Sequence, residues 1–199
     1  NRINEIIRGI DRALVGAATR AEIEQAVCNH LTASGRYGFA LALERHADEA
    51  FVPRAWTDAS VEFVESAFPA DASDTDVSPG LRALRSGEVE VVRSVREMGD
   101  TEWQTKLLEE GIESLAAIPV TYQNTEYGVI AVYASEHEAF SELERTVLSE
   151  LGTNVANSIE AVTTRRALYA DTVTELSLRF DDADAFLAQF ASKTGGRVE

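Results

Sequence analysis

Lysine is almost absent from this chain. Of 18 basic residues only Lys106 and Lys193 are lysine, set against 34 Asp and Glu and a net charge of −16. Nucleic-acid binding draws on a basic face that displaces counterions from phosphates, and this balance offers none. A single cysteine, Cys28, excludes an intrachain disulfide and a thiolate-rich zinc site. It falls in a helix-like segment, where a buried, inert thiol is the default; a reactive thiol needs an electropositive, accessible setting. The three histidines, His30, His46 and His137, show no i, i+3 or i, i+4 pair of the kind that chelates a metal. A haem would need only one axial histidine, but surface turns account for His46 and His137 more simply. No apolar run approaches the roughly 18 residues of a membrane span, and no signal-peptide pattern opens the chain. A soluble, cytoplasmic protein without membrane contact is expected.

What is present is a core. Hydrophobic residues make up 45% of 199, enough for one ordinary domain and a fragment of a second. An acidic surface rich in arginine and poor in lysine suits a cytoplasm of very high salt, where dense charge is screened yet keeps the protein hydrated.

Periodicity orders the chain. Ile3, Ile7, Ile10, Leu14 and Ala17 form one apolar stripe, predicting a helix over 2–17. Thr19 and Glu22 form a capping box for a second helix, which buries Ile23, Ala26, Val27 and Leu31 and stops near Gly35. Strands are expected over 36–44 and 50–56; Pro53 places the second at an edge or a bulge. A helix over 59–68 and a polar loop over 69–80 follow. Ser78-Pro79-Gly80 then caps a short helix ending at Gly87. A strand over 89–94, a helix over 100–111, and a hairpin turning near Gln123-Asn124 complete the series. Ser141 and Glu144 make a second capping box, and the helix behind it runs to about Tyr169. Leu148, Leu151, Val155, Ile159 and Val162 keep the spacing of a coiled-coil seam, so this rod is expected to be a dimer spine together with helix 2–17. Beyond it, residues 172–180 alternate like a strand and a capped helix ends at Gly195. We therefore expect residues 1–168 to form one domain and 169–199 to begin a second.

The fold class is α+β, with a largely antiparallel sheet of five or six strands. The stretches "PGLRALRSGEVEVV" and "SLAAIPVTYQNTEYGVIAVYASEHEAFSELERTVLSELGTNVANSI" resemble a GAF domain across residues 2–168. "INEIIRGIDRALVGAATRAEIEQAVCNHL" and "RALYADTVTELSLRFDDADAFLAQFASKTGGRVE" resemble, more narrowly, the GAF regions of haloarchaeal bacterio-opsin activator-like regulators. The resemblance implies a sensory module with terminal helices on one sheet face and a small-molecule pocket on the other. It also implies a homodimer, with DNA bound only by a separate helix-turn-helix domain and not by these residues.

Residues that could line such a pocket are Phe39, Leu41, Leu43, Trp56, Leu81, Leu84, Trp103, Ile118 and Tyr133, an apolar set that equally fits a plain core. The cyclic-nucleotide signature of GAF domains is incomplete here, since Arg145 replaces its last acid. One thiol cannot run the disulfide chemistry of a GAF-type methionine sulfoxide reductase, and Cys28 belongs to the wrong side of the sheet for a bilin. No catalytic residue, metal or cofactor is expected. In "YASEHEAFSELERTVL", Glu136-His137-Glu138 reads as the turn leaving the last strand. Phe140, Ser141 and Glu144 read as the anchor and cap of the long helix. Three functions follow: a ligand-sensing regulatory domain first, a structural dimerisation module with a self-filled pocket second, a redox or haem sensor third.

Overall fold

The computed structural model describes residues 2–46, 50–57, 63–64, 78–99 and 101–170. In chain order its elements are α1 (Arg2–Gly16), α2 (Arg20–Thr32), β1 (Phe39–Arg45), β2 (Phe51–Trp56), α3 (Pro79–Ser86) and β3 (Glu90–Val92). A 3-10 turn (Val95–Glu97), α4 (Glu102–Glu109), β4 (Ser114–Tyr122), β5 (Thr125–Ala134) and α5 (Glu142–Ala170) follow. The strands form one antiparallel sheet in the order β2-β1-β5-β4-β3.

The local signals act as their chemistry requires. Thr19 accepts from the Glu22 amide at 3.1 Å while Glu22 accepts from the Ala18 amide at 2.8 Å, closing the box that starts α2. Ser78 caps α3, Pro79 occupies its first turn, and Gly87 ends it in the left-handed region at φ +70°. Pro53 lies on edge strand β2, and the register slips beside it, so the strand accepts both of proline's conditions. The β4–β5 hairpin turns through Gln123 and Asn124, with Gln123 at φ +51°.

Alternation along the strands divides the core in two. Ala40, Ala42, Ala116, Ile118, Val120, Ile130, Val132 and Ala134 face a helical layer built from α1, α2 and α5. Three of the four alanines here lie on β1 and β4, where a small side chain lets a helix come close to the sheet. Phe39, Leu41, Leu43, Leu115, Ala131 and Tyr133 project the other way, towards Phe63, Val64, Val95, Leu107 and Ile112. Ala83 of α3 joins Ala117 and Val129 on that same side.

Two expectations need correction. The apolar positions of α5 are not a dimer seam: Leu148, Leu151, Val155, Ile159 and Val162 are all buried in the domain's own core, beside Ile3, Ile6, Ile10 and Leu14 of α1. Heptad-like spacing specifies one apolar face, and here the sheet takes it up, with Gly152 lying against Pro119 O and Ile118. Strand β1 begins at Phe39 instead of Arg36, because Gly35 turns at φ +67° and Arg36 reaches across to Ala139 and Glu144.

The chain divides into two compact units, Asn1–Thr164 and Arg165–Glu199. The sheet lies wholly in the first. The expected strand over 172–180 and the helix ending at Gly195 fall outside the described residues, as do most of the expected 59–68 helix and the loop over 69–77. Among the described residues no helix is long and apolar enough to cross a membrane.

Candidate functional site

The sheet face away from the terminal helices carries most of the expected pocket set. Phe39, Leu41, Leu43 and Tyr133 project from neighbouring strands β1 and β5, and Trp56 and Trp103 pack partly buried against them. The Phe39 and Tyr133 rings stack with centroids 4.1 Å apart, and Phe63 meets Phe39 edge-on at 5.4 Å. Tyr133 is fully buried, and burial pushes its phenol well above the ordinary value of 10. Leu81 is buried in α3, and Leu84 packs against Ala83, Ala117 and Val129.

Ile118 does not belong with them. It projects to the helical face, as the register pairing it with Ile130 requires. A strand side chain reverses face at every residue, so Ala117 and not Ile118 faces the aromatic side. Sequence reading also missed Phe63, Leu107, Leu115 and Ala131, which complete this cluster; Ala131 was accessible to the alternation argument, two positions from Tyr133.

Around the sheet lie two ion-pair assemblies. In the first, Arg36 Nη2 donates to Ala139 O at 2.7 Å and to Glu144 Oε1 at 2.9 Å, and Tyr37 Oη donates to the same carboxylate at 3.3 Å. Glu144 Oε2 accepts from the Ser141 amide and hydroxyl, each at 2.9 Å. Burial would raise the Glu144 carboxyl, but the Ser141 donors and the Arg36 guanidinium outweigh it and hold it below the ordinary 4.5. Tyr37 stacks on Phe140 with centroids 5.4 Å apart. The start of α5 is thereby fastened to the segment leading into β1, whereas Glu136, His137 and Glu138 stand exposed in the turn.

The second assembly alternates charge. Glu24, almost buried, takes Arg20 at 2.7 Å and Arg54 at 2.8 Å, and Glu44 takes the same two arginines at 2.9 and 3.0 Å. Arg20 also donates to Tyr127 O at 2.7 Å and lies over the Tyr127 ring. The Tyr127 hydroxyl bonds Glu160 of α5. This chain of contacts joins α2, β1, β2, β5 and α5. None of it was legible beforehand, since it depends on side chains brought together from distant positions.

Cys28 lies in the helical layer, fully buried, with its thiol pushed up to about 12, chiefly by burial. Among the described residues no group of three or more His, Cys, Asp or Glu could hold a metal ion.

Residues 17–160 match the GAF domain family. The chain is a GAF domain. It is 29% identical to the bacterioopsin transcriptional activator of Halobacterium salinarum over 206 residues, covering 100% of this chain and 28% of that protein. The chain spans 28% and 32% of the curated relatives it matches. Among solved structures, the phycoerythrobilin-bound GAF domain from a cyanobacterial phytochrome aligns at TM-score 0.63 and 16% identity, covering 83% of this chain and 98% of that one. Free methionine-R-sulfoxide reductase from Neisseria meningitidis, in complex with its substrate, aligns at 0.64 and 14%, covering 82% and 91%. These likenesses establish a shared GAF fold.

Proposed function

We propose that this GAF domain is a non-catalytic regulatory module of a haloarchaeal transcription regulator. A small ligand meets the aromatic face around Phe39, Leu41, Trp56, Trp103 and Tyr133, and the response passes to α5. The observation that carries this reading is the identity over the whole chain with the bacterioopsin transcriptional activator. The contacts on Glu144 and Glu160 support it, because they tie α5 to the segment entering β1 and to β5. In the parent protein, residues 1–168 would form the sensory domain and 169–199 would lead to an output domain that contacts DNA. We place the molecule in the cytoplasm as a homodimer, paired through the outward faces of α1 and α5, where Val15 and Leu143 are exposed.

The test is a promoter reporter in a haloarchaeal host carrying the full-length regulator. Phe39→Ala and Tyr133→Leu, each checked for folding, should alter output. Wild-type output from both folded variants would refute a sensing role for this face. A self-filled structural module is the second reading, favoured by the close packing of Leu41, Leu107, Leu115 and Tyr133, each at most 1% exposed. Mass spectrometry of the purified protein separates the two: a stoichiometric small molecule supports sensing, and its absence together with an unresponsive reporter supports structure.

A further inference from the structure

A cavity of about 280 Å³ opens at the β3 edge of the aromatic face, lined by Arg82, Val92, Arg93, Ser94, Glu97 and Met98. Its volume is near the lower end of small-ligand sites, roughly 300 Å³. Three features of its lining point to one ligand chemistry.

The first is charge. Two of its three charged residues are arginines, in a chain with 34 acids against 18 bases. Arg82 is braced by Glu90, whose Oε1 accepts from Nε at 2.8 Å. The nearest acidic oxygen to Arg93 among the described residues is on Glu142, at 3.9 Å from Nη2, beyond hydrogen-bond reach. The second is Ser94. It is 6% exposed and lines the cavity, yet its hydroxyl makes no hydrogen bond among the described residues, and it does not cap the 3-10 turn that follows it. The hydroxyl oxygen is not sealed from solvent, so a bound acceptor can take the place of water there. The third is the apolar part of the lining: Val92 and Met98 both belong to the aromatic-face cluster.

We propose that this cavity binds the anionic head group, phosphate or carboxylate, of a small molecule whose apolar body lies on Val92 and Met98. Guanidinium groups suit either anion, because their donors match paired oxygens. Ser94 donates its hydroxyl hydrogen to the same head group. Glu97 stands on the lining as the opposing charge and disfavours ligands with several negative groups. Binding also has a route outward. Arg93 O accepts from the Glu138 amide at 3.0 Å, and its guanidinium faces Glu142 in the first turn of α5. An anion that draws Arg93 inward therefore acts on the start of that helix. This last step rests on the regulatory reading above; binding does not.

The experiment titrates the full chain, in molar potassium chloride, with inorganic phosphate, phenyl phosphate and benzoate, following backbone amide signals by NMR. Saturable shifts at residues 82 and 92–98 are expected, with phenyl phosphate or benzoate binding at least about threefold tighter than inorganic phosphate. Whichever of the two binds tighter names the head group. Arg93→Gln should weaken binding roughly tenfold and Ser94→Ala about threefold. Arg96→Gln, which removes an exposed arginine held by Glu113 outside the cavity, should bind like wild type. Equal losses in the Arg93 and Arg96 variants would mean diffuse charge attraction and overturn the site, as would an Arg93 variant that binds normally. An Arg93→Gln protein that loses binding but leaves the reporter unchanged would uphold the site and refute its regulatory role.

Discussion

Gly152 of α5 faces the Pro119 carbonyl so closely that a Cβ on it would stand 2.5 Å from that oxygen and 2.9 Å from Ile118 Cγ2. Real Cβ atoms essentially never come so near, and the oxygen belongs to backbone at the middle of β4. Gly152→Ala should therefore displace α5 instead of merely filling space. We expect a loss of about 1–3 kcal/mol, read by thermal or denaturant unfolding. Unchanged stability would mean that the helix lies farther from the strand.

The Arg36–Glu144 contact predicts non-additivity. Glu144 is 8% exposed and shared by Arg36, Tyr37 and the Ser141 donors. Arg36→Gln and Ser141→Ala should each destabilise by about 1–2 kcal/mol. The double variant should fall short of the sum or exceed it by about 0.5 kcal/mol or more, because both residues act on one carboxylate. Simple addition in a double-mutant cycle would show that the cap and the ion pair are independent.

Acid sensitivity follows from the carboxylates held low. Burial raises Glu44 and Glu144, but arginines, and at Glu144 also Ser141, outweigh it, so both titrate below the ordinary 4.5 when folded. The unfolded chain binds protons first as pH falls, so their contribution is complete above 4.5 and lost progressively below it. The unfolding midpoint should be flat from neutrality to about pH 5 and drop beneath that. Arg36→Gln, which returns Glu144 towards its ordinary value, should show a shallower acid limb.

Cys28 gives a prediction about reactivity. With the thiol fully buried and raised to about 12, a thiol reagent at neutral pH should label the native protein only as fast as the domain opens. Rapid labelling in the native state would restore a redox role.

Much of the architecture was legible in the sequence because short-range chemistry fixes it. Thr19 with Glu22, Ser78 with Pro79, and Ser141 with Glu144 each place a helix start through bonds spanning a few residues. The face assignments were less accessible. One step along β4 separates Ala117 from Ile118 and sends Ile118 to the helical layer, so a lining residue chosen for being apolar can fall on either side. Apolar spacing on α5 was correctly seen, but spacing does not say what fills the face. The Arg20–Glu24–Arg54–Glu44 assembly was invisible because its members come from three elements that only the sheet register brings together.

The shared core of α1 and α5 also bears on how the protein is made. Ile3, Ile6, Ile10 and Leu14 find their burial beside Leu148, Leu151, Val155 and Ile159, more than a hundred residues later in the chain. On the ribosome α1 emerges with α2 close behind it, long before the rest of its cover exists. At ~5–20 residues per second that interval lasts on the order of ten seconds. Until then the part of the stripe that α2 does not cover stands open to solvent and to other nascent chains, and the arrival of α5 closes this core.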